Sequence, residues 1–344
     1  MTSRTDSDWQ SKFVNKIVVG DSRVLLKEIP DQSVNLVITS PPYYLQRDYG
    51  VAGEIGNENT VEEYVENLMH VFGECLRVLR HDGHIVFNLG DKYVDGSLLL
   101  VPWRFALSVL NRFPVKLVNA VTWVKLNPTP RQYRRRLVSS TEPFFDFVKS
   151  SNYYFDLDSY LSMHSLLRRR SRTGPRLGQR YRRLIENSEL TPAQKEQALR
   201  ELERVIEEVQ SGKIAGFRMK IRGIHAPAFG GQDGGRKIQL EKKGFTIIRL
   251  LGNGIKRDVI ESPVETIRGI GHPAIFPEFV VSQLVQLLCP PEGVVLDPFM
   301  GSGTTAVVSK ALGRHFVGID TNSQYVELAA KRLEGSDRML DYLL

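Results

Sequence analysis

The feature that most constrains the fold is an apolar stretch that stops at two prolines. Residues 34–44 begin with aliphatic and β-branched side chains, as is typical of a buried strand, and the strand must end at Pro41 and Pro42. Neither proline has a backbone N–H, so we expect a rigid loop whose carbonyls at 40 and 41 are free to accept hydrogen bonds from a ligand. The loop also presents the hydroxyl of Ser40 and the ring of Tyr43. This combination suits a planar group that carries an exocyclic amine.

A second motif lies near the C-terminal end, where a strand, a glycine loop and the start of a helix follow one another at residues 294–305. Glycines let the backbone approach a ligand closely, and a helix N-terminus favours a carboxylate. The next strand ends at Asp320, where an acid would hold the ribose hydroxyls of a nucleotide. The loop lacks the Gly-Lys-Ser/Thr of a Walker loop and the G-x-G-x-x-G spacing. Alone it is weak evidence, because many such loops are only turns.

Strand and helix patterns alternate before and after an irregular basic segment, which predicts an α/β fold with one layered domain and a second region embedded in it. The predicted strands lie at residues 16–20, 34–39, 84–89, 118–124, 144–148, 294–296 and 316–319. The predicted helices lie at residues 22–29, 60–80, 101–113, 192–210, 276–288, 304–312 and 324–333. Thr60 with Glu63, and Thr191 with Gln194, are typical of capping boxes. The segment 81–83 is expected to end the second helix, and Gly212 the fourth.

We divide the chain into an N-terminal tail (1–15), a first half of the α/β domain (16–155), an insert (156–251) and a second half (252–344). The first eight residues are polar and are expected to be disordered. Between residues 161 and 183 the insert has eight arginines and no acidic residue. Its later part, 216–244, is glycine-rich and basic, with few periodic signals.

Composition narrows the class of protein. Hydrophobic residues make up 42% and charged residues 25% of the chain, as in globular proteins, and the net charge of +7 is compatible with a polyanionic partner. No apolar run is long enough to span a membrane, and no signal peptide is evident. Cys75 and Cys289 lack metal-ligand spacing. We therefore expect a cytoplasmic protein without membrane contact and without a metal site.

Together, Thr39-Ser40-Pro41-Pro42-Tyr43 and the glycine loop resemble the β-class of S-adenosylmethionine-dependent DNA amino-methyltransferases of restriction–modification systems. In that class the catalytic loop comes early in the chain and the cofactor loop late, and the resemblance covers about residues 16–155 and 252–333. It implies a Rossmann-like methyltransferase sheet with circularly permuted motifs, mostly parallel and seven-stranded with one antiparallel strand. It also implies that the insert is a target-recognition region. The strands that end at Asp297 and at Ser40 would then flank one crevice.

The resemblance implies roles for individual residues. Ser40, Pro41, Pro42 and Tyr43 would form the catalytic loop, with Tyr43 stacking on a base flipped out of the duplex. S-adenosylmethionine would be bound by residues of the second motif and its surroundings: Asp297, Phe299, Gly301, Ser302, Gly303, Thr304, Asp320, Asp21 and Phe276. Asp320 would hold its ribose and Asp21 its adenine amine, although a Gly-Asp pair at a strand end is often only a turn.

Ser40 favours cytosine N4 as the methylated atom, because adenine-N6 enzymes of the family usually have Asp at this position. Adenine N6 stays open, since one hydroxyl does not determine the shape of a pocket. Cytosine C5 methylation is disfavoured, because it needs a cysteine nucleophile in a Pro-Cys loop. Cys75 lies in a predicted amphipathic helix and Cys289 at a helix end, where structural roles are expected.

Double-stranded DNA is the expected partner, together with a cognate restriction endonuclease, and the protein is expected to be a monomer or a homodimer. Phosphate contacts are predicted for arginines of the insert that would otherwise be solvated surface, among them Arg168, Arg169, Arg170 and Arg172. Arg222 and Arg236 are predicted to contact DNA as readers of bases. Two other classes stay open. One is a non-catalytic DNA-binding specificity protein, and the other is methylation of RNA or of a protein amide, for which Asn is the commoner residue at position 40.

Overall fold

The computed structural model describes residues 4–46, 54–128, 133–158, 177–211, 213–214, 216–224, 240–250, 257–264 and 276–335. The chain divides into two compact units, of which the first comprises Met1–Leu157 and Arg257–Leu344 and the second Asp158–Lys256. The insert was predicted at 156–251, and its function in target recognition stays a prediction.

The strands and helices of the described residues are numbered in chain order. The strands are β1 (Lys16–Val19), β2 (Val34–Thr39), β3 (Leu79–Asn88), β4 (Tyr93–Val94), β5 (Ser97–Leu98), β6 (Lys116–Lys125), β7 (Thr141–Val148), β8 (Gly216–Ile221), β9 (Phe245–Leu250), β10 (Val259–Ser262), β11 (Val294–Asp297) and β12 (His315–Asp320). The helices are α1 (Arg4–Phe13), α2 (Ser22–Leu25), α3 (Val61–Val78), α4 (Val101–Arg112), α5 (Gln179–Glu186), α6 (Pro192–Gln210), α7 (Glu278–Leu288), α8 (Thr304–Ala311) and α9 (Ser323–Gly335). A 3₁₀ turn at Leu26–Glu28 follows α2.

The first unit is built on a sheet of eight strands in the order β1-β12-β11-β2-β3-β7-β6-β10. All neighbouring strands are parallel except that β7 is antiparallel to both β3 and β6. The α/β class and the single antiparallel strand were predicted correctly, but the strand count of seven was wrong. The additional strand is β10, which pairs with residues 122–125 of β6. Its four residues, Val-Ile-Glu-Ser, are too few to give a periodic signal.

Strands β11 and β2 are neighbours although some 260 residues separate them, with Val295 paired to Leu36. From β11 the chain continues through α8 to β12 on one side, and from β2 through α3 to β3 on the other. Strand order therefore reverses between β11 and β2, which is where α/β sheets bind ligands. Asp297 and Ser40 end up at the same edge of the sheet, as the sequence predicted.

Side chains on the two faces of the sheet belong to different apolar clusters. On β12, Val317 and Ile319 lie in a large core with residues of α1, α3 and α4, whereas Phe316 packs with Ala306 of α8 and Leu333 of α9. Because successive strand residues point to opposite faces, helices cover both faces of this part of the sheet.

Helix α3 begins with the predicted capping box. Glu63 N donates to Thr60 Oγ1 at 3.2 Å, and Thr60 N donates to Glu63 Oε2 at 3.3 Å. The helix ends at Val78, and β3 starts directly at Leu79. The prediction that residues 81–83 end the helix was wrong, because they lie within β3. Gly83 is needed there, since a Cβ would come within 2.5 Å of the Asn35 carbonyl oxygen on β2.

The disorder predicted for the first eight residues was wrong for residues 4–8, because Arg4–Phe13 form helix α1, and residues 1–3 lie outside the described residues. Trp9 and Phe13 lie on one face at i, i+4 spacing and are buried in the core. Asn15, which follows the helix, binds to strand β12, since its backbone N–H donates to the Phe316 carbonyl at 2.6 Å. Burial of two aromatic side chains outweighs the polar composition of the segment.

The second unit contains α5, α6 and a hairpin of β8 and β9. Helix α6 has the predicted bounds and capping box, with Ser211 as its C-cap, while the predicted stop at Gly212 lies outside the described residues. The segment 216–244 was predicted without regular structure, but its first six residues form β8, antiparallel to β9. The alternation of Phe217, Met219 and Ile221 was the missed signal. These side chains pack on Leu202 and its neighbours in α6.

Candidate active site

The loop after β2 places Ser40 and Tyr43 side by side. Ser40 Oγ lies 3.2 Å from Tyr43 Oη and 3.3 Å from Asn88 Oδ1 at the end of β3. The Pro42 carbonyl accepts a hydrogen bond from Tyr64 Oη at 2.8 Å. Pro41 is buried, and no donor among the described residues reaches its carbonyl, so a hydrogen bond from a ligand to this oxygen stays a prediction.

The ring of Tyr43 is fixed at its hydroxyl and on one face. Oη lies 2.8 Å from Asn88 Oδ1 and 3.0 Å from Glu142 Oε2 at the start of β7. Burial, and then the charge of Glu142, raise the pKa of Tyr43 well above its usual value, so the phenol stays protonated. A Cβ on Gly90 would lie 2.4 Å from two carbons of the ring. The Gly90 backbone therefore lies against the ring, and stacking of a base on Tyr43 stays a prediction.

Sequence reasoning missed three residues of this site. Glu142 is 9% exposed, and its carboxylate contacts both Tyr43 and Nζ of Lys125 at the end of β6. Asn88 bridges Ser40 and Tyr43. The signal in the sequence was Glu142, a charged residue in the otherwise largely apolar strand β7. A second charge on β7, Asp146, instead binds buried His84 at 2.8 Å.

Asp297 is 1% exposed and accepts three hydrogen bonds from the protein. The donors are Thr39 Oγ1 at 2.6 Å, Thr305 Oγ1 at 2.7 Å and the Phe299 N–H at 3.0 Å. Burial raises its pKa from 3.8 to about 6, against the opposing effect of these hydrogen bonds. The carboxylate thus joins β2, the glycine loop and α8, and its support of a cofactor can only be indirect.

The two glycines of the second motif have different functions. Gly301 has a left-handed φ of +52°, and its N–H donates to Asp320 Oδ2 at 2.8 Å. Gly303 also has a positive φ, of +86°, but a Cβ there would lie 2.6 Å from Cβ of Ala329 on α9. The absent side chain at 303 therefore lets α8 and α9 pack, and the close approach of its backbone to a ligand stays a prediction. Asp320 also accepts from the Asn322 N–H at 2.9 Å, and burial raises its pKa.

Arg332 of α9 holds the glycine loop in place and was not foreseen. Its Nη1 donates to Ser302 Oγ at 2.9 Å and to Thr304 Oγ1 at 3.3 Å, and its Nη2 lies 2.6 Å from Glu278 Oε1. Both charged side chains are largely buried, with 11% and 14% exposure. Ser302 and Thr304 are thus fixed by the protein itself.

Asp21 lies beside Asp320, because the Gly20 N–H donates to the Asp320 carbonyl at 2.8 Å. Its carboxylate caps α2 and forms a bidentate pair with Arg23, with Arg23 Nη2 at 2.7 Å from Oδ2. The hydrogen bond from Arg23 lowers the pKa of Asp21. Phe276, before α7, stacks on Phe144 with ring centroids 5.7 Å apart and planes 7° from parallel.

Comparison with known proteins identifies the family. A family model described as DNA methylase, of the N6 and N4 amino type, matches residues 34–331. The chain belongs to this DNA methylase family. It is 31% identical to the type II methyltransferase M.SfiI of Streptomyces fimbriatus over 90% of this chain and 89% of that protein. It is 26% identical to the type II methyltransferase M.SmaI of Serratia marcescens over 92% and 90%.

Solved structures share the fold of this DNA methylase. The PvuII DNA methyltransferase, named as cytosine-N4-specific, superposes with a TM-score of 0.56 at 17% identity over 94% of this chain and 92% of that one. M1.HpyAVI in complex with SAM superposes with a TM-score of 0.50 at 16% identity over 92% and 98%. The resemblance to the β-class of amino-methyltransferases is thereby confirmed.

Most of the residues of the methylase that are predicted to contact DNA lie outside the described residues. Arg168, Arg169, Arg170, Arg172 and Arg236 are outside the described residues. Arg222 is exposed, and its guanidinium donates to the Glu241 carbonyl at 3.1 Å. Their DNA contacts stay predictions.

The remaining sequence expectations concern cysteines, metal ions and membranes. Burial raises the pKa of the Cys75 thiol, and that of Cys289 to about 12, which does not suit a nucleophile. Within the described ranges, no three His, Cys, Asp or Glu side chains are grouped as metal ligands. None of the described helices has the length and apolarity needed to cross a membrane.

Proposed function

We propose that this DNA methylase transfers a methyl group from S-adenosylmethionine to the exocyclic N4 amine of a flipped cytosine in duplex DNA. The observation that carries the proposal is that the loop after β2 holds two neighbouring acceptors, Ser40 Oγ and the Pro41 carbonyl. This loop follows a strand that pairs directly with β11, which ends at Asp297. The type II names of M.SfiI and M.SmaI support a function as the modification enzyme of a restriction–modification system, with a cognate endonuclease as partner.

The amine of cytosine is conjugated with its ring and is a poor nucleophile. Ser40 can direct its own proton to Tyr43 or Asn88 and keep its lone pairs for the amine. The Pro41 carbonyl provides a second acceptor. Two acceptors on the two amine protons draw the nitrogen towards tetrahedral geometry, so that its lone pair can attack. S-adenosylhomocysteine would be the leaving group, and the methylated amine would release its extra proton to solvent. Such catalysis depends on positioning and electrostatics.

The base must leave the duplex to reach this loop. Tyr43 provides the stacking surface, since its hydroxyl is tied to Asn88 and Glu142 and one ring face is covered by Gly90. Stacking a base on an aromatic ring is worth about 1–3 kcal/mol. This energy offsets part of the cost of unpairing.

The residues at the other side of the crevice suit S-adenosylmethionine, whose sulfonium provides an electrophilic methyl group. Asp320 ends β12 with a partly exposed carboxylate for ribose hydroxyls, and Asp21 beside it is ionised for an adenine amine. Phe299, Gly301, Ser302, Gly303 and Thr304 would line the methionine part, with Phe276 nearby. The SAM complex of M1.HpyAVI supports this choice of cofactor.

The second unit would bind the DNA backbone. Because Phe217, Met219 and Ile221 face α6, Arg218 and Lys220, which alternate with them, lie on the opposite face of β8. Neither β8 nor β9 contains an acidic residue. A basic face of this kind binds phosphates and adds salt dependence without reading sequence.

The test is incubation of purified protein with duplex DNA and methyl-labelled S-adenosylmethionine. We expect label in the DNA, and N4-methylcytosine in its nucleoside digest. N6-methyladenine would overturn the assignment of Ser40 to cytosine, and preferential labelling of RNA or protein would overturn DNA as substrate. Calorimetry that finds DNA binding without cofactor binding would favour a non-catalytic specificity protein. Light scattering would distinguish the predicted monomer from the homodimer.

A further inference from the structure

A chain of hydrogen bonds leads from Ser40 to a largely buried ion pair. Tyr43 Oη lies 3.2 Å from Ser40 Oγ and 3.0 Å from Glu142 Oε2. The other carboxylate oxygen of Glu142 contacts Nζ of Lys125, which also lies 4.9 Å from the ring centroid of Trp123. The side chains of Glu142 and Lys125 are 11% and 21% exposed. Burying an ion pair costs desolvation energy, so this pair does more than keep the protein surface soluble.

The direction of each proton in this chain determines what Ser40 can do. Glu142 Oε2 and Asn88 Oδ1 both only accept hydrogen bonds from Tyr43 Oη, at 3.0 and 2.8 Å. Because a charged acceptor forms the stronger hydrogen bond, we assign the Tyr43 proton to Glu142, which leaves lone pairs of Oη for Ser40. Ser40 then donates its proton to Tyr43 or to Asn88 Oδ1, 3.3 Å away. Asn88 is oriented for this, because its Nδ2 donates to the Pro143 carbonyl at 3.1 Å. With its proton directed inward, Ser40 presents only lone pairs to the outside.

We propose that Glu142 is a positioning residue of the methyl transfer, which makes Ser40 a hydrogen-bond acceptor by taking the proton of Tyr43. The inference rests on the proposed function of Ser40 and extends it to residues that do not touch the substrate. Lys125 balances the charge of Glu142 and holds its carboxylate in place. With a neutral amide at 142, the charge that draws the Tyr43 proton is lost, and Tyr43 can turn its hydroxyl to Ser40 Oγ, 3.2 Å away. Ser40 would then accept from Tyr43, and the lone pair that the amine proton needs would be occupied.

A double-mutant cycle tests this role. The variants are Glu142→Gln, Tyr43→Phe and the combination, and the measurement is the single-turnover rate of labelled methyl transfer at saturating DNA and cofactor. We expect Glu142→Gln to lower the rate about tenfold or more while the Kd of S-adenosylmethionine stays within about twofold of wild type. In the Tyr43→Phe background the same substitution should change the rate less than about twofold, because the hydroxyl that connects the two residues is gone.

The control is Glu62→Gln, which removes an exposed ion pair with Arg104 and should leave the rate unchanged. If Glu142→Gln does not fold, Lys125→Met is expected to lower the rate in the same way, and again only when Tyr43 is present. If the rate loss of the double variant equals the product of the two single-variant losses, the two residues act independently and the proposal is overturned. It is equally overturned if Glu142→Gln changes the melting temperature alone. A wild-type protein that binds cofactor but methylates no DNA would instead refute the proposed function, and this inference with it.

Discussion

Thr39 Oγ1 donates a 2.6 Å hydrogen bond to Oδ1 of Asp297, and both residues are buried. Thr39 is the residue before Ser40, and Asp297 is the first residue of the glycine loop. One hydrogen bond therefore connects the loop proposed to hold the base with the loop proposed to hold the cofactor. Thr305 completes the connection by donating to the other oxygen of Asp297.

Removing this connection should affect both binding sites at once. Thr39→Val keeps the shape of the side chain but leaves a buried carboxylate with one donor fewer, which costs about 1–3 kcal/mol. We expect weaker S-adenosylmethionine binding together with slower methyl transfer, measured by calorimetry and single-turnover labelling. Thr122→Val on β6 is the matched control. A variant that loses stability but keeps both activities would contradict the coupling.

Asp297 should also make stability depend on pH. Its pKa of about 6 in the folded protein exceeds the ordinary 3.8, so between these values the folded state binds more protons than the unfolded chain. The contribution of this group to stability is therefore largest below about pH 4 and is lost as the pH rises through 6, by about 3 kcal/mol in total. Asp297→Asn removes this titration. In urea unfolding, the wild type should lose most of this free energy of unfolding relative to the variant between pH 4 and pH 7, and an unchanged difference between the two would contradict the prediction.

Ser40 should matter for turnover and not for cofactor binding. We expect Ser40→Ala to lower the single-turnover rate by about 10²–10³ with an unchanged Kd for S-adenosylmethionine, because among the described residues its hydroxyl contacts Tyr43 and Asn88 and none of the cofactor loop. Ser97→Ala, in the exposed strand β5, is the control. Equal losses of affinity and rate would place Ser40 in the cofactor site instead.

Gly90 should be intolerant of a single methyl group. In Gly90→Ala the new Cβ would meet the Tyr43 ring at 2.4 Å, so the ring must shift. Overpacking of this kind costs about 1–3 kcal/mol, and we expect a loss of methyl transfer and of the fluorescence gain of 2-aminopurine at the target base. Gly335→Ala has open space and serves as control. Normal base flipping in Gly90→Ala would show that Tyr43 is not the stacking surface.

Arg332 should support the cofactor loop through its geometry as well as its charge. Arg332→Lys keeps the charge but cannot contact Ser302, Thr304 and Glu278 together, because an ammonium lacks the planar fork of the guanidinium. We expect a clear rise in the Kd of S-adenosylmethionine with DNA affinity unchanged. Arg104→Lys, at an exposed ion pair, is the control. Unchanged cofactor affinity would leave Arg332 with a purely structural role in packing α9.

The sequence by itself determined the local elements and the two loops. Prolines at 41 and 42 end a strand wherever it lies, glycine at 301 supplies a left-handed turn, and capping boxes at Thr60 and Thr191 start their helices, because these effects act over a few residues. The family resemblance added the order of the motifs and the α/β sheet. The N-terminal helix and the hairpin in 216–250 escaped prediction because polar composition and glycines masked short apolar periodicities.

Only the tertiary structure decided which side chains meet. Glu142 reaches Tyr43 across 99 residues of sequence, and Asp297 reaches Thr39 across 258. Neither contact follows from spacing, because the sheet places distant strand ends at one edge. There, burial changes what a side chain does: Asp297 became a connection between two loops, Gly303 a packing site, and Glu142 a partner of the loop that ends at Pro41 and Pro42.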